Sequence, residues 1–424
     1  MKGGEKKFFS HDESHGIKDF VNMNWIDSSI TAVKGFKASG VACGLKKDEQ
    51  PDLALIVSEK MASAAGVFTK NIVKGHSLQL TMKRMEKGQA QALIINSGNA
   101  NACVGETGMT DAKTMASLVA SKINCKPDDV LVGSTGVIGQ PLNMHAIRGG
   151  IEKAVSQLSS DTKAGHLAEK AIMTTDLIPK EAVVRFSIGE QAVTVAGMAK
   201  GSGMIHPNMA TMIGVIAMDC AVSQPLLAAI LKRVTNRTFN RVSIDGDTSV
   251  CDMVIAMANG LSGAGTIQKE TAEAEKLEKA IEAVCTRLAR LIAADGEGAT
   301  KLVEIRAEGL RSQEDAFKMV TAVAKSPLVK TALFGEDANW GRILTAAGYS
   351  GANFNPEKID ICIGSLKVCE NGVALAFDEA KAKSILQEKE IVIKLLLKEG
   401  DAWDRMWTCD FSYDYVKING SYRT

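Results

Sequence analysis

Short apolar runs of strand length alternate along this chain with stretches of helical period, and that alternation is what most narrows the folds open to it. ALIIN at 92–96, AVVRFSIG at 182–189 and QAVTVAGMAKG at 191–201 read as strands, the last two joined by a tight turn near Gly189. DAKTMASLVASKI at 111–123 puts Met115, Leu118, Val119 and Ile123 on one helix face, with Asp111 placed to cap it. Ser223 and Pro225 open another helix in SQPLLAAILKRVTNRTF. The longest helix is predicted over about 271–292, with Leu277, Ile281, Val284 and Leu288 on its buried stripe. Ser312 and Asp315 form a capping box at the head of SQEDAFKMVTAVA. Strand-like runs follow at 302–309, 358–364, 366–377 and 390–400, giving a mixed α/β chain rich in antiparallel connections.

With 424 residues, 46% of them hydrophobic and 23% charged, the chain can bury a large core in two to three domain-sized units. Lys and Arg total 50 against 49 for Asp and Glu, so no basic field favours nucleic acid or an anionic membrane. Small uncharged or zwitterionic ligands fit better. Residues 1–26 carry charges throughout and no apolar signal core, so they read as an N-terminal extension of a cytoplasmic protein. No run approaches the 18 apolar residues of a membrane span. The 9 cysteines show no CxxC pair, and an odd count suits free thiols in a reducing compartment; Cys362 and Cys369 are expected on strands. The 6 histidines lack metal-ligand spacing, so a metal site is not expected.

Four clusters of small polar residues interrupt the apolar runs: INSGNANACVG at 95–105, VGSTGVIGQP at 132–141, the stretch 200–214, and AADGEGATKL at 293–302. Glycine-rich loops of this kind expose backbone N–H groups to a ligand. The P-loop pattern and GxGxxG are both absent, which argues against nucleotide phosphates. Within GSTGVIG, a hydroxyl and an adjacent glycine N–H can converge on one oxygen, so an oxyanion hole competes with a plain glycine turn. Thr211 follows Ala210 in KGSGMIHPNMATM and heads an apolar run. An internal threonine is ordinarily structural. It becomes a nucleophile when cleavage before it frees an α-amine that can take the hydroxyl proton.

The segment MAKGSGMIHPNMATM resembles the self-processing signature of the ornithine acetyltransferase family, also called glutamate N-acetyltransferases or arginine-biosynthesis bifunctional proteins. GVACGLKK, AAGVFTKN, INSGNANACVG, STGVIG, MTTD at 173–176, SIDGDTSVCD, ADGEGATK, GEDANWGRI and the terminal YVKINGSYRT are similar to family motifs and occur in family order. The resemblance implies an α/β/β/α sandwich of the DmpA and ornithine acetyltransferase type. It implies cleavage at Ala210–Thr211 into an α chain of residues 27–210, preceded by the extension, and a β chain of residues 211–424, together one interwoven catalytic unit. Thr211 corresponds to the nucleophile, and Thr135 with Gly136 to the oxyanion hole. Thr174, Lys200, Thr211, Glu297, Asn419 and Thr424 correspond to substrate-binding positions. The implied reaction moves an acetyl group from N-acetyl-L-ornithine to L-glutamate through an acetyl-Thr211 ester, without a cofactor. The implied assembly is an α2β2 heterotetramer or larger.

Departures exist. The chain ends NGSYRT where the family resembles NADYRT, and IGVIAMDC after Thr211 differs from the usual run. The resemblance leaves three readings open: acetyl-CoA as a further acetyl donor, a self-processed aminopeptidase of the same architecture, and an unprocessed amino-acid-binding protein. Asn96, Asn99 and Asn101 are expected to knit a loop beneath the site. Asp245, Asp247 and Asp252 are expected to bond backbone or cap a helix, and His206 to pack in a loop.

Overall fold

The computed structural model describes residues 23–47, 49–206 and 212–421. The described residues fall into two compact units, those within 15–240 and 247–288 forming the first and those within 241–246 and 289–422 the second. The first unit holds strands β1 (Asn24–Trp25), β2 (Phe36–Val41), β3 (Leu53–Phe68), β4 (Gln89–Asn99), β5 (Val130–Val137), β6 (Glu181–Ile188), β7 (Gln191–Lys200), β8 (Ile213–Met218) and β9 (Met253–Ala258). Its helices are α1 (His76–Met85), α2 (Thr107–Ile123), α3 (Met144–Ser156), α4 (Thr162–Ile172), α5 (Gln224–Arg237) and α6 (Ala272–Ala294), the last counted with the second unit from Ala289 onward.

The strands are hydrogen-bonded in the order β1-β6-β7-β8-β9-β3-β4-β5, with β2 beside β3. The long β3 joins the two halves. Its early residues pair with β2 and β4, a register shift falls between Val57 and Ala62, and its later residues pair with β9. Side chains alternate across the pleat, so each half buries two faces. Leu53 and Leu55 of β3, Ala92 and Ile94 of β4 and Val130 and Val132 of β5 pack with α2 and α3. The opposite-facing Ala54, Ile56, Leu93, Ile95 and Leu131 share a core with Ala196 and Met198 of β7, Val215 of β8 and Ile255 of β9. On the far side of β7, Gly197 faces Val284 and Leu288 of α6. Helix, sheet, sheet and helix therefore stack as the expected α/β/β/α sandwich.

The second unit contains β10 (Leu302–Leu310), β11 (Asp360–Ile363), β12 (Leu366–Glu370), β13 (Val373–Ala374), β14 (Glu390–Leu396) and β15 (Ala402–Cys409), in the order β13-β12-β11-β14-β10-β15. Its helices are α7 (Gln313–Lys325), α8 (Pro327–Phe334), α9 (Trp340–Gly348), α10 (Glu379–Leu386) and α11 (Tyr413–Ser421). Ile391, Ile393 and Leu395 of β14 point to one face and pack with Met319, Val320 and Val323 of α7 and with Ala346 of α9.

The β6–β7 hairpin turns at Gly189, and the predicted stripe of Leu277, Ile281, Val284 and Leu288 on α6 is fully buried. Ser312 caps α7 by accepting from the Asp315 N–H at 3.1 Å, while its own hydroxyl donates to the Asp315 carboxylate at 2.7 Å. Cys362 and Cys369 lie on β11 and β12, and all 9 cysteines are free. Two local readings need correction. Asp111 does not cap α2, because the helix begins at Thr107, where the Gly108 N–H bonds the Gly105 carbonyl and Asn101 holds the Gly108 carbonyl. Ser223 stands at the N-cap of α5 but turns its hydroxyl to the Gln268 carbonyl instead of the helix. No described helix is long and apolar enough to cross a membrane.

Candidate active site

Thr135 and Gly136 lie near the end of β5, just before Val137, directly across a parallel ladder from Ser97 and Gly98 of β4. Gly136 has φ +126°, and a Cβ there would lie 2.3 Å from the Gly98 carbonyl carbon and 2.4 Å from its oxygen. Only glycine permits that approach, which turns the backbone out of regular strand geometry just beyond the buried Thr135. A buried chain of hydrogen bonds fixes this strand end. Ser134 Oγ donates to Asn96 Oδ1 at 2.6 Å and lies 2.7 Å from Ser77 Oγ, which accepts from Asn101 Nδ2 at 3.0 Å. Asn96 Nδ2 donates to the Asn99 carbonyl at 3.0 Å, so the asparagines do knit the loop that follows β4.

The ladder leads to the next two predicted residues. Ser97, opposite Thr135, donates its hydroxyl to the Ala171 carbonyl at the end of α4, at 2.6 Å. Three residues on, the Thr174 N–H donates to Asp176 Oδ2 at 3.0 Å, and the other oxygen of Asp176 accepts from the Gly201 N–H at 2.6 Å. Gly201 follows Lys200, the last residue of β7. Thr135, Gly136, Thr174 and Lys200 are thus linked within the first unit by one path of backbone pairs and hydrogen bonds.

Lys200 is 3% exposed, and among the described residues its ammonium forms no hydrogen bond or ion pair. Burial pushes its pKa down, against the opposing pull of Asp176 and Asp252. Asp176 pairs with Lys180 at 2.7 Å; burial opposes its ionisation, but Lys180, Lys200 and the hydrogen bonds prevail and hold its carboxyl below the usual carboxylate range. Burial raises both Glu169 and Asp252 well above that range. Asp252 accepts the Met212 N–H at 3.1 Å, the backbone role expected of it. The sequence singled out Asp176 only as the end of MTTD and missed Lys180. An acid and a lysine four apart, with Pro179 between them, carry no helical signal, so only their burial identifies them as a pair.

Glu297 and Asn419 belong to the second unit. Asn419 Nδ2 donates to Glu297 Oε2 at 2.8 Å, so these two predicted residues are in contact. The flanking Gly298 has φ +69°, and a Cβ there would sit 2.4 Å from the Tyr415 backbone nitrogen, which accounts for the small residue beside a buried acid. Asp410 accepts from the Thr300 and Lys301 N–H groups at 2.8 and 3.0 Å, and Ser412 Oγ donates to the Gly298 carbonyl at 2.6 Å, holding the loop from both ends. Ala210, Thr211 and Thr424 lie outside the described residues. His206 is half-buried. No cluster of metal-ligating side chains occurs among the described residues.

Residues 37–424 match the model of the ArgJ family. The arginine biosynthesis bifunctional protein ArgJ of Caldanaerobacter subterraneus subsp. tengcongensis is 51% identical over 406 residues, covering 95% of this chain and 100% of that protein. The protein of the same name from Symbiobacterium thermophilum is 48% identical over 404 residues, covering 95% and 100%. Among solved structures, ornithine acetyltransferase of Mycobacterium tuberculosis in complex with ornithine is 36% identical, covering 44% of this chain and 98% of that chain, with a TM-score of 0.41.

Proposed function

This chain belongs to the ArgJ family, and from that premise we propose that it is an acetyltransferase of arginine biosynthesis that carries the acetyl group on Thr211. The observation that carries the reading is the Thr135–Gly136 step, where a buried hydroxyl-bearing residue precedes a glycine of positive φ that lies opposite Gly98 in the ladder, too close to its backbone for any Cβ. Such a pair suits a tetrahedral oxyanion.

In the proposed sequence the chain cuts itself between Ala210 and Thr211, giving an α chain that ends at Ala210, its body being residues 27–210, and a β chain of 211–424. Thr211 Oγ, losing its proton to its own α-amine, attacks the acetyl carbonyl of N-acetyl-L-ornithine. The oxyanion is received by the Thr135 hydroxyl and the Gly136 N–H. The amide C–N bond breaks, the proton passes to the departing nitrogen, and ornithine leaves. The amine of L-glutamate then attacks the acetyl ester, giving N-acetylglutamate and restoring the threonine. Lys200 offers an ammonium to a substrate carboxylate, Thr174 a hydroxyl contact, and Glu297 with Asn419 a polar grip on the amino-acid portion; Thr424 joins this set by resemblance alone. Acetyl-CoA as an additional donor, an α2β2 assembly and a cytoplasmic location are parts of the same proposal.

Intact mass of denatured wild-type protein beside Thr211→Ala tests the reading, together with transfer assays. Two wild-type fragments, one beginning at Thr211, an uncut variant, and acetylornithine consumption that requires glutamate are expected. Glutamate-independent hydrolysis would favour the aminopeptidase, and two uncut chains the binding protein. Replacing acetylornithine with acetyl-CoA decides the donor range.

A further inference from the structure

Charged groups meet at the end of β7 in a balance that the acetyl-transfer chemistry does not itself require. The Asp176 and Lys180 side chains are fully buried, with Lys180 Nζ donating to Asp176 Oδ1 at 2.7 Å and to the Ile178 carbonyl at 3.2 Å. The same carboxylate accepts the Gly201 and Thr174 N–H groups at 2.6 and 3.0 Å. Glu169 accepts the Lys180 N–H at 2.8 Å, and its burial favours the neutral acid. Asp252, the other buried acid that acts on Lys200, is likewise favoured as the neutral acid by its burial, so one ionised carboxylate, Asp176, is matched by one ammonium, Lys180, and the second ammonium, Lys200, is left over.

We propose that Asp176 and Lys180 are a positioning pair for a carboxylate pocket built on Lys200. Asp176 fixes the backbone at Thr174 and just after Lys200, and Lys180 neutralises Asp176 so that the Lys200 charge stays available to the carboxylate of the amino-acid substrate. The inference rests on the assignment of Lys200 to that carboxylate. Without Lys180, a buried unpaired Asp176 would take Lys200 as its partner, because an uncompensated charge in the interior is strongly unfavourable. Substrate would then have to displace an internal ion pair.

The test is steady-state kinetics with N-acetyl-L-ornithine and L-glutamate on the full chain carrying Lys180→Met, Asp176→Asn with Lys180→Met, or Lys200→Met. For Lys180→Met, KM for both substrates is expected to rise about tenfold or more while kcat stays within about threefold. The double variant restores the charge balance but offers the Thr174 N–H an amide in place of a carboxylate oxygen, so KM should fall back by about threefold or more without reaching the wild-type value. A merely structural pair would give no such rescue. A double variant no better than Lys180→Met, in KM or in yield of soluble protein, overturns the proposal, as does an unchanged KM in the single variant. Lys200→Met separates the two readings. If it leaves KM unchanged, the carboxylate assignment fails and takes the pair with it; if it raises KM while the pair variants behave alike, the pair alone is refuted.

Discussion

Replacing Gly136 by alanine tests the site at its tightest point. The added Cβ would meet the Gly98 carbonyl carbon at 2.3 Å, its oxygen at 2.4 Å and the Asn99 nitrogen at 2.8 Å. These are backbone atoms of a neighbouring strand, so no flexible side chain can move aside. Relief requires β4 and β5 to separate where Ser97 pairs with Thr135. Holding an alanine at φ +126° adds about 1–3 kcal/mol of backbone strain, and forcing a methyl into packed surroundings adds about 1–3 kcal/mol. Their sum, about 2–6 kcal/mol, is a large part of the stability of an ordinary domain. A Tm decrease of roughly 4 °C or more should follow, together with a shift of the urea midpoint. Because the displaced N–H is also the proposed oxyanion donor, kcat at a temperature where the variant remains folded should fall about 10²–10³-fold. A variant that melts within a degree of wild type and turns over within a factor of three would refute both the steric argument and the catalytic assignment. Loss of stability with full activity would refute the assignment alone.

Thr135→Ala removes a hydroxyl without disturbing the glycine, so it should lose about 10²–10³ in kcat with little change in Tm, measured by kinetics and thermal melts side by side. Glu169→Gln addresses the buried acid whose neutral form burial favours. Its folded pKa lies above the unfolded value, so the native state holds the extra proton, and the stability this group contributes is present below about pH 4.5 and lost as pH rises above it. As pH rises above about 4.5 the Gln variant should therefore gain in Tm relative to wild type, and melting curves that stay parallel would contradict a buried neutral Glu169.

The pair of strands around Gly189, the stripe of α6 and the Ser312 cap were legible because each is a local pattern, a few residues meeting a backbone requirement. The candidate site residues stood out for a different reason. STG, GEG and the threonine after Ala210 stand out as small residues where apolar ones would continue a strand, and Gly136 and Gly298 prove to be places where a Cβ would strike a neighbouring backbone. Asp111 misled because capping depends on where the helix starts, and the start was set by Asn101 and the loop before Thr107.

By itself the sequence determined the class of fold, the family and the candidate residues, since periodicity and motif are properties of neighbours along the chain. Tertiary structure alone decided that β3 serves both halves of one sheet, that residues 241–246 belong with those beyond 289, and that Asp176 joins Thr174, Lys180 and Gly201. Those pairings connect groups whose attraction depends on a shared dry interior. That interior exists only after β4, β5, α4 and β7 have packed, and no spacing in the sequence encodes which of several lysines will find itself there with a carboxylate and which will remain without one.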